Sequence, residues 1–219
     1  MIKTLVNTAK KPVATLVFAH GAGAGQNSAF MQLIAQGIAK HNINVLRFNF
    51  AYMQLAEEQE KRRPPDRADK LLAYFKVLLS EISAIENSAM DNSAIKNSLP
   101  IFIGGKSMGG RIASMLLQES AALGCICMGY PFHPLGKPDK LRTEHLLSIN
   151  KPVLILQGER DTFGKREEIA TFNLSKQIQV NYLADGDHSF KPRKASGHNL
   201  EANLHKAIER SAAFIKMHL

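Results

Sequence analysis

The five residues Gly105-Lys106-Ser107-Met108-Gly109 constrain the fold of this chain more than any other segment. They follow residues 100–103, a continuous apolar run typical of a strand that is covered on both faces. They precede residues 111–117, whose apolar spacing predicts a helix. Ser107 would then lie on a sharp strand-to-helix turn that exposes its hydroxyl group, with room for the turn left by the two glycines. This arrangement predicts a nucleophile elbow.

The same segment also resembles the end of a nucleotide-binding P-loop, because Gly105, Lys106 and Ser107 follow one another. A P-loop needs another glycine five residues before the glycine of its Gly-Lys-Ser triplet. This chain has Pro100 at that position, inside the predicted strand. The spacing therefore disfavours nucleotide binding and favours the elbow.

A second glycine-rich loop, residues 20–25, follows the apolar run 14–19, which predicts another buried strand. Gly21 and Gly23 match the first two glycines of a dinucleotide-binding fingerprint. Gln26 stands where the third glycine should be, and the next predicted strand does not end in an acidic residue. A dinucleotide site is therefore disfavoured.

The better interpretation of this loop is half of an oxyanion hole. In a serine hydrolase, two backbone N–H groups stabilise the negative charge that grows on the carbonyl oxygen. One donor belongs to the residue after the nucleophile, and the other belongs to the first strand-helix loop. We therefore predict that Met108 and Ala22 supply these N–H groups, and that His20 braces the loop through hydrogen bonds. A tight connection without a chemical role is the alternative.

The acid and the base of such a site should follow the nucleophile in that order, each in a loop after a later strand. The apolar run 152–157 leads to Asp161, and the alternating run 178–183 leads to His188. His188 is predicted to take the Ser107 proton, while Asp161 orients the imidazole and stabilises its charged form. Three further acidic residues are alternatives for the acid or ordinary turn residues: Glu159, Asp185 and Asp187.

Four segments together resemble the α/β-hydrolase superfamily, near dienelactone hydrolase: residues 20–23, 105–111, 157–161 and 186–190. More narrowly, the chain resembles a subgroup of predicted bacterial hydrolases whose eukaryotic relatives include a testis-expressed protein and a subunit of a chromatin-acetylating complex. The resemblance implies the fold, a Ser107, Asp161 and His188 triad, and Ala22 and Met108 as oxyanion donors. Dienelactone hydrolase has a cysteine where this chain has Ser107, so the resemblance does not imply its substrate.

Length and composition predict one compact domain over residues 1–219. The resemblance implies that it is an α/β domain, with a doubly wound, mostly parallel sheet and helices on both faces. The interval 130–151, where this fold often carries a lid, is too short for a large cap, so we expect minimal or no lid. Three pentapeptide repeats at 84–98 predict an expanded loop. The start of the chain lacks a signal-peptide core, and no apolar run reaches the roughly 18 residues of a membrane span, so we predict a cytoplasmic location and no membrane partner.

The formal net charge of +9 raises the question of nucleic acid. The basic residues are scattered and show no binding motif, which disfavours a nucleic-acid partner and favours anionic substrates. Cys125 and Cys127 alternate along an apolar run and are predicted to be buried core residues. Two cysteines without a matching ligand cluster do not make a metal site, so we predict neither a metal nor an organic cofactor.

Three other residues are candidates for substrate binding. Arg62 and Arg63 follow the strand predicted at 45–50, where either could contact a substrate carboxylate or phosphate. The alternative is structural: Asp66 would cap the next helix, with the arginines in solvent. His133 follows a predicted strand end and is expected to line the site. The sequence thus predicts a serine hydrolase of a small acyl substrate, or an interaction module on the same fold.

Overall fold

The computed structural model describes residues 2–87 and 99–219. Within them, seven strands form one sheet in the order β1-β3-β2-β4-β5-β6-β7. The strands are β1 (Thr4–Asn7), β2 (Ala14–Ala19), β3 (Ile43–Phe48), β4 (Ile101–Lys106), β5 (Cys125–Met128), β6 (Val153–Gly158) and β7 (Ile178–Leu183). Strand β1 pairs antiparallel with β3, and every other neighbouring pair is parallel.

Helices cover both faces of the sheet: α1 (Ala29–Ala39), α2 (Ala51–Glu58), α3 (Ala68–Asn87), α4 (Met108–Leu116), α5 (Arg166–Ile169) and α6 (Leu200–Met217). Successive side chains of a strand point to opposite faces. In β2, Leu16 and Phe18 pack in the core under α1 and α6, whereas Val17 and Ala19 pack under α3 and α4. Strands buried on both sides in this way read as continuous apolar runs, which is why they were predictable.

Three elements were not predicted: β1, α2 and the four-residue helix α5, which buries only Ile169. Strand β1 is short, and none of its four residues is fully buried. Helix α2 buries only Tyr52. Elements that contribute so little to the core have weak hydrophobic periodicity, the main signal for secondary structure in a sequence. The predicted helix at 111–117 also begins earlier, at Met108.

The segment between β5 and β6 contains a short 3-10 helix, Glu144–Leu147, and no cap domain. The expectation of minimal or no lid is therefore confirmed. Cys125 and Cys127 are buried and unbridged, as predicted. Within the repeat at 84–98, which was predicted to be an expanded loop, residues 88–98 lie outside the described residues. Among the described residues, no helix combines the length and the apolar character needed to cross a bilayer.

The sheet order explains where a site can form. The chain leaves β2 toward β3 on one side, and β4 lies on the other side of β2. The carboxyl ends of β2 and β4 therefore flank a crevice of the kind in which ligands bind in open α/β sheets. The loops after β6 and β7 end at the same edge. Four loops with the predicted chemical residues thus meet at one edge.

Candidate active site

Ser107 lies between β4 and α4 in a strained conformation, with φ 51° and ψ −116°. This backbone geometry is rare for residues with a side chain and costs of order 1–3 kcal/mol. The flanking glycines are required by close approach to β2. A Cβ atom on Gly105 would lie 2.5 Å from the Ala19 carbonyl oxygen, and one on Gly109 would lie 2.5 Å from that of His20. The Gly-X-Ser-X-Gly spacing thus lets the turn pack directly on the neighbouring strand.

Ser107, His188 and Asp161 form one continuous chain of hydrogen bonds. The Ser107 Oγ and the His188 Nε2 are 2.9 Å apart, and the His188 Nδ1 lies 2.8 Å from an Asp161 oxygen. Asp161 has no solvent exposure. Its carboxylate also accepts hydrogen bonds from the Gln157 side chain and from the N–H of Phe163, each at 2.9 Å. These contacts fix the carboxylate and favour the tautomer in which Nδ1 carries the proton and Nε2 accepts from Ser107.

The three alternative acids make other contacts. Glu159 pairs with Arg166 at 2.9 Å and accepts a hydrogen bond from the N–H of Asp185. The Asp185 carboxylate binds the side chain and the N–H of Arg193, and this pairing holds the pKa of Asp185 well below its usual range. Asp187 accepts hydrogen bonds from N–H groups of its own turn. All three therefore shape the loops around His188, and Asp161 is the acid that contacts it.

The N–H groups of Ala22 and Met108 are available to a ligand. Both residues line the cavity next to Ser107, and neither N–H donates a hydrogen bond within the described part of the chain. Met108 is the first residue of α4, and the first N–H groups of a helix lack partners within it. The role of Ala22 and Met108 as oxyanion donors stays a prediction.

His20 braces the loop that carries Ala22. Its Nε2 accepts a hydrogen bond from the N–H of Phe50 at 3.0 Å, and its Nδ1 lies 2.6 Å from the Gly21 carbonyl oxygen. Burial lowers the pKa of His20 to about 4, so the ring is neutral at pH 7 and can make both bonds at once. The Tyr52 hydroxyl donates to the Ala22 carbonyl from the other side. The bracing role expected for His20 is thus seen in the structure.

We call the space beside the nucleophile the Ser107 cavity; its volume is about 290 Å³. Its polar wall comprises Ser107, Asp66, Arg111 and Arg142, and its apolar wall includes Leu71, Ile112, Pro131 and Phe163. Sequence reasoning did not identify Arg111 or Arg142. Arg111 directly follows the elbow, which was a usable signal. Arg142 is distant along the chain from every motif, so only the fold reveals it.

The predicted substrate-binding residues lie elsewhere. Arg62 and Arg63 are exposed and line a neighbouring cavity of about 540 Å³, which shares Ala22 with the Ser107 cavity. Helix α3 begins at Ala68, and Asp66 faces the Ser107 cavity rather than capping the helix.

The expectation for His133 needs correction, because His133 does not line the Ser107 cavity. Its side chain is buried. Its Nδ1 lies 2.9 Å from the Pro134 carbonyl oxygen, and its Nε2 lies 3.5 Å from a Glu168 oxygen. These contacts give His133 a structural role in the segment after β5.

Lys106 is a further residue that the sequence did not assign to the site. Its ammonium group donates a 2.7 Å hydrogen bond to the backbone carbonyl of His188 and lies 5.7 and 5.9 Å from the ring centroids of Phe30 and Phe190. Burial lowers the pKa of Lys106 to about 8, although the nearby carboxylates of Asp161 and Asp187 oppose the shift. Lys106 therefore joins the strand before Ser107 to the loop that carries His188.

Comparison with known proteins agrees with this fold. A family model described as an alpha/beta hydrolase domain matches residues 12–216, and the chain belongs to that family. The dienelactone hydrolase of Anabaena variabilis is similar in structure, with a TM-score of 0.71 and 16% identity over 100% of this chain and 92% of that one. An esterase domain from Rhodothermus marinus is also similar, with a TM-score of 0.65 and 16% identity over 99% of this chain and 98% of that one.

A third structure bears on the missing cap. A serine hydrolase without lid from Xanthomonas campestris has a TM-score of 0.65 and 14% identity, over 96% of this chain and 87% of that one. At these identities the likeness concerns the fold. The family match supports a hydrolase.

Proposed function

We propose that this protein is a serine hydrolase that cleaves a small ester, thioester or peptide-like substrate by acyl transfer through Ser107. The observation that carries the proposal is the unbroken chain of hydrogen bonds from Ser107 through His188 to buried Asp161, beside a cavity with two unpaired N–H groups. Such a constellation is recognised by geometry and roles rather than by its position in the chain.

The geometry supports a two-stage reaction. The Ser107 Oγ attacks the carbonyl carbon while its proton passes to the His188 Nε2, and the N–H groups of Ala22 and Met108 stabilise the resulting oxyanion. Asp161 stabilises the imidazolium. The tetrahedral intermediate then collapses, the bond to the leaving group breaks, and the leaving group takes the proton from His188. A water molecule, deprotonated by His188, attacks the acyl-enzyme in the same way and releases the acid.

The proposed reaction balances with these side chains and one water, so we propose no metal or organic cofactor. A cavity of about 290 Å³ without a cap favours a small acyl substrate over a long-chain lipid. The hydrolase and esterase names of the structural neighbours agree with this chemistry. A cytoplasmic location and a relationship to the subgroup that includes a chromatin-complex subunit stay predictions.

The test is a hydrolysis screen of the purified protein against acyl esters, thioesters and short peptides. We expect turnover that Ser107→Ala abolishes. Asp161→Asn should lower kcat by a factor of about 10⁴, because the imidazole loses its orienting carboxylate. Ser189→Ala, an exposed serine next to His188, is the matched control and should keep wild-type turnover. Turnover by Ser107→Ala equal to wild type would contradict the proposal.

A further inference from the structure

Two arginines on the wall of the Ser107 cavity have no part in the acyl transfer described above. Arg111 lies one helical turn after Ser107, and its N–H donates a 3.0 Å hydrogen bond to the Ser107 carbonyl. The N–H of Arg142 donates to the Phe132 carbonyl at 2.7 Å, and the Arg142 carbonyl accepts from the Tyr130 hydroxyl at 2.7 Å. The backbone of both arginines is thus fixed beside the nucleophile.

Neither guanidinium group has a hydrogen-bond or ion-pair partner among the residues that the structure describes. Within residues 2–87 and 99–219, Arg111 and Arg142 form no ion pair with a carboxylate within 4 Å. The Nε of Arg111 is also buried without a hydrogen-bond acceptor. A buried donor without an acceptor is unfavourable, and native structures seldom retain one without a reason. Because both arginines line the cavity, a ligand there can offer an acceptor to their terminal guanidinium N–H groups.

The charges around the two arginines favour an anion. Arg142 is half-buried, and burial lowers its pKa, with the positive charge of Arg111 as the second cause. Burial and the charge of Arg111 also lower the pKa of His145 to about 4, so that ring is neutral at pH 7. The cavity wall carries one carboxylate, Asp66. Two guanidinium groups against one carboxylate leave an excess of one positive charge.

We propose that Arg111 and Arg142 form a subsite for a carboxylate of the substrate, so that the enzyme selects short esters that carry a second, ionised carboxyl group. This inference rests on the proposed function of Ser107. Guanidinium groups bind carboxylates through paired, charge-assisted hydrogen bonds. The apolar wall of the same cavity favours a carboxylate on a short hydrocarbon chain over free phosphate.

The rest of the cavity limits the size of that substrate. Leu71, Ile112, Pro131 and Phe163 supply apolar surface to the same cavity. The volume of about 290 Å³ is near the lower end of ligand pockets, which hold roughly 300–1,000 Å³. A short hydrocarbon chain that joins the carboxylate to the scissile ester fits these dimensions.

The kinetic test compares two matched esters, monoethyl glutarate and its uncharged amide, ethyl 4-carbamoylbutanoate, by titration of released acid. Wild type should hydrolyse the charged ester with a kcat/KM higher by about tenfold or more, the effect of one charge-assisted hydrogen bond. Arg142→Gln and Arg111→Gln should bring the ratio of the two kcat/KM values close to one. Arg210→Gln, which removes the same charge from an exposed position on α6, should keep the wild-type ratio.

A binding experiment separates this inference from the proposed function. Isothermal titration of glutarate into Ser107→Ala measures the subsite without turnover, and Arg142→Gln in that background should raise the Kd by about tenfold or more. If wild type hydrolyses no ester while glutarate still binds through Arg142, the proposed function fails and the anion subsite stands. Normal hydrolysis of both esters at equal kcat/KM, without glutarate binding, overturns the subsite alone.

Three further results would overturn the assignment. Inorganic phosphate binding more tightly than glutarate would reject a carboxylate. Loss of the charge preference in Arg62→Gln, but not in Arg142→Gln, would place the anion in the neighbouring cavity. If Arg142→Gln lowers the melting temperature but leaves the ratio of the two kcat/KM values unchanged, Arg142 has a structural role only. The same two measurements decide the role of Arg111 through Arg111→Gln.

Discussion

At the residue scale, Lys106 shows how one side chain can connect two parts of the site. It precedes the nucleophile, and its ammonium group holds the backbone carbonyl of the base, His188. We expect this hydrogen bond to set the position of the imidazole relative to Ser107. Lys106 is then a positioning residue, because it acts on the reaction through His188.

Lys106→Met keeps an apolar side chain of similar length and removes the donor. We predict that kcat falls roughly tenfold while KM changes little, because about 1.5 kcal/mol of positioning is lost from the reacting arrangement. Since the pKa of Lys106 is about 8, the ammonium is charged below that pH and loses its charge above it. Wild-type kcat should therefore have an alkaline decline near pH 8 that is absent in Lys106→Met. The same decline in both proteins would contradict the positioning role.

The choice among acidic residues shows what a sequence can and cannot specify at this scale. Asp161 was the preferred partner for His188, with Glu159, Asp185 and Asp187 as alternatives. Only the loop conformations distinguish them, since three of the four carboxylates are occupied by Arg166, Arg193 or nearby N–H groups. Arg142 was not predictable either, because its proximity to Ser107 depends on the path of the chain after β5.

At the element scale, the loop after β7 determines where the base lies. Asp185 has a positive φ of 49°, and its carboxylate is bound by the side chain and the N–H of Arg193. Arg160, from the loop after β6, also pairs with Asp185. The buried carboxylate of Asp185 thus joins the loop of Asp161 to the loop of His188 and holds the two loops together.

Asp185→Asn should lower the melting temperature at pH 7, because the ionised carboxylate is stabilised in the folded state. Folding lowers the pKa of Asp185. The ionised carboxylate therefore stabilises the folded state fully at pH values above its unfolded pKa of about 3.9, and this stabilisation is lost as the pH falls through the lower folded pKa. The difference in melting temperature between wild type and Asp185→Asn should therefore shrink below pH 4. The exposed Asp139→Asn is the control. A difference that is constant from pH 7 to pH 3 would contradict this account.

Most strands were predictable from one of two hydrophobic patterns, a continuous apolar run or an alternation. Strands β2, β5 and β6 are buried throughout, and their apolar runs predicted them to within one residue at each end. Strand β7 was predicted from its alternation. Strand β1 and helix α2 were missed because they bury few residues, and their formation depends on contacts with elements already in place.

At the scale of the whole molecule, the sheet order is what makes a site from distant residues. Ser107 and His188 are 81 positions apart in the chain, and their side chains meet because β4 and β7 end at the same edge of a parallel sheet. The sequence order of nucleophile, acid and base was sufficient to predict this meeting, because the topology of the fold constrains it. The shape and charge of the Ser107 cavity were not predictable, since they depend on five separate segments of the chain packing together.

The central claim is that His188 activates Ser107, and covalent labelling tests it without knowledge of the substrate. An uncharged fluorophosphonate reacts with a serine that a neighbouring base has activated and whose tetrahedral oxygen meets hydrogen-bond donors. We predict one equivalent of label on Ser107, located by mass spectrometry of the tryptic peptide, with normal labelling of Ser189→Ala and none of His188→Ala. Folded wild-type protein that stays unlabelled at neutral pH, or labelling of Ser107 that persists in His188→Ala, would contradict the account.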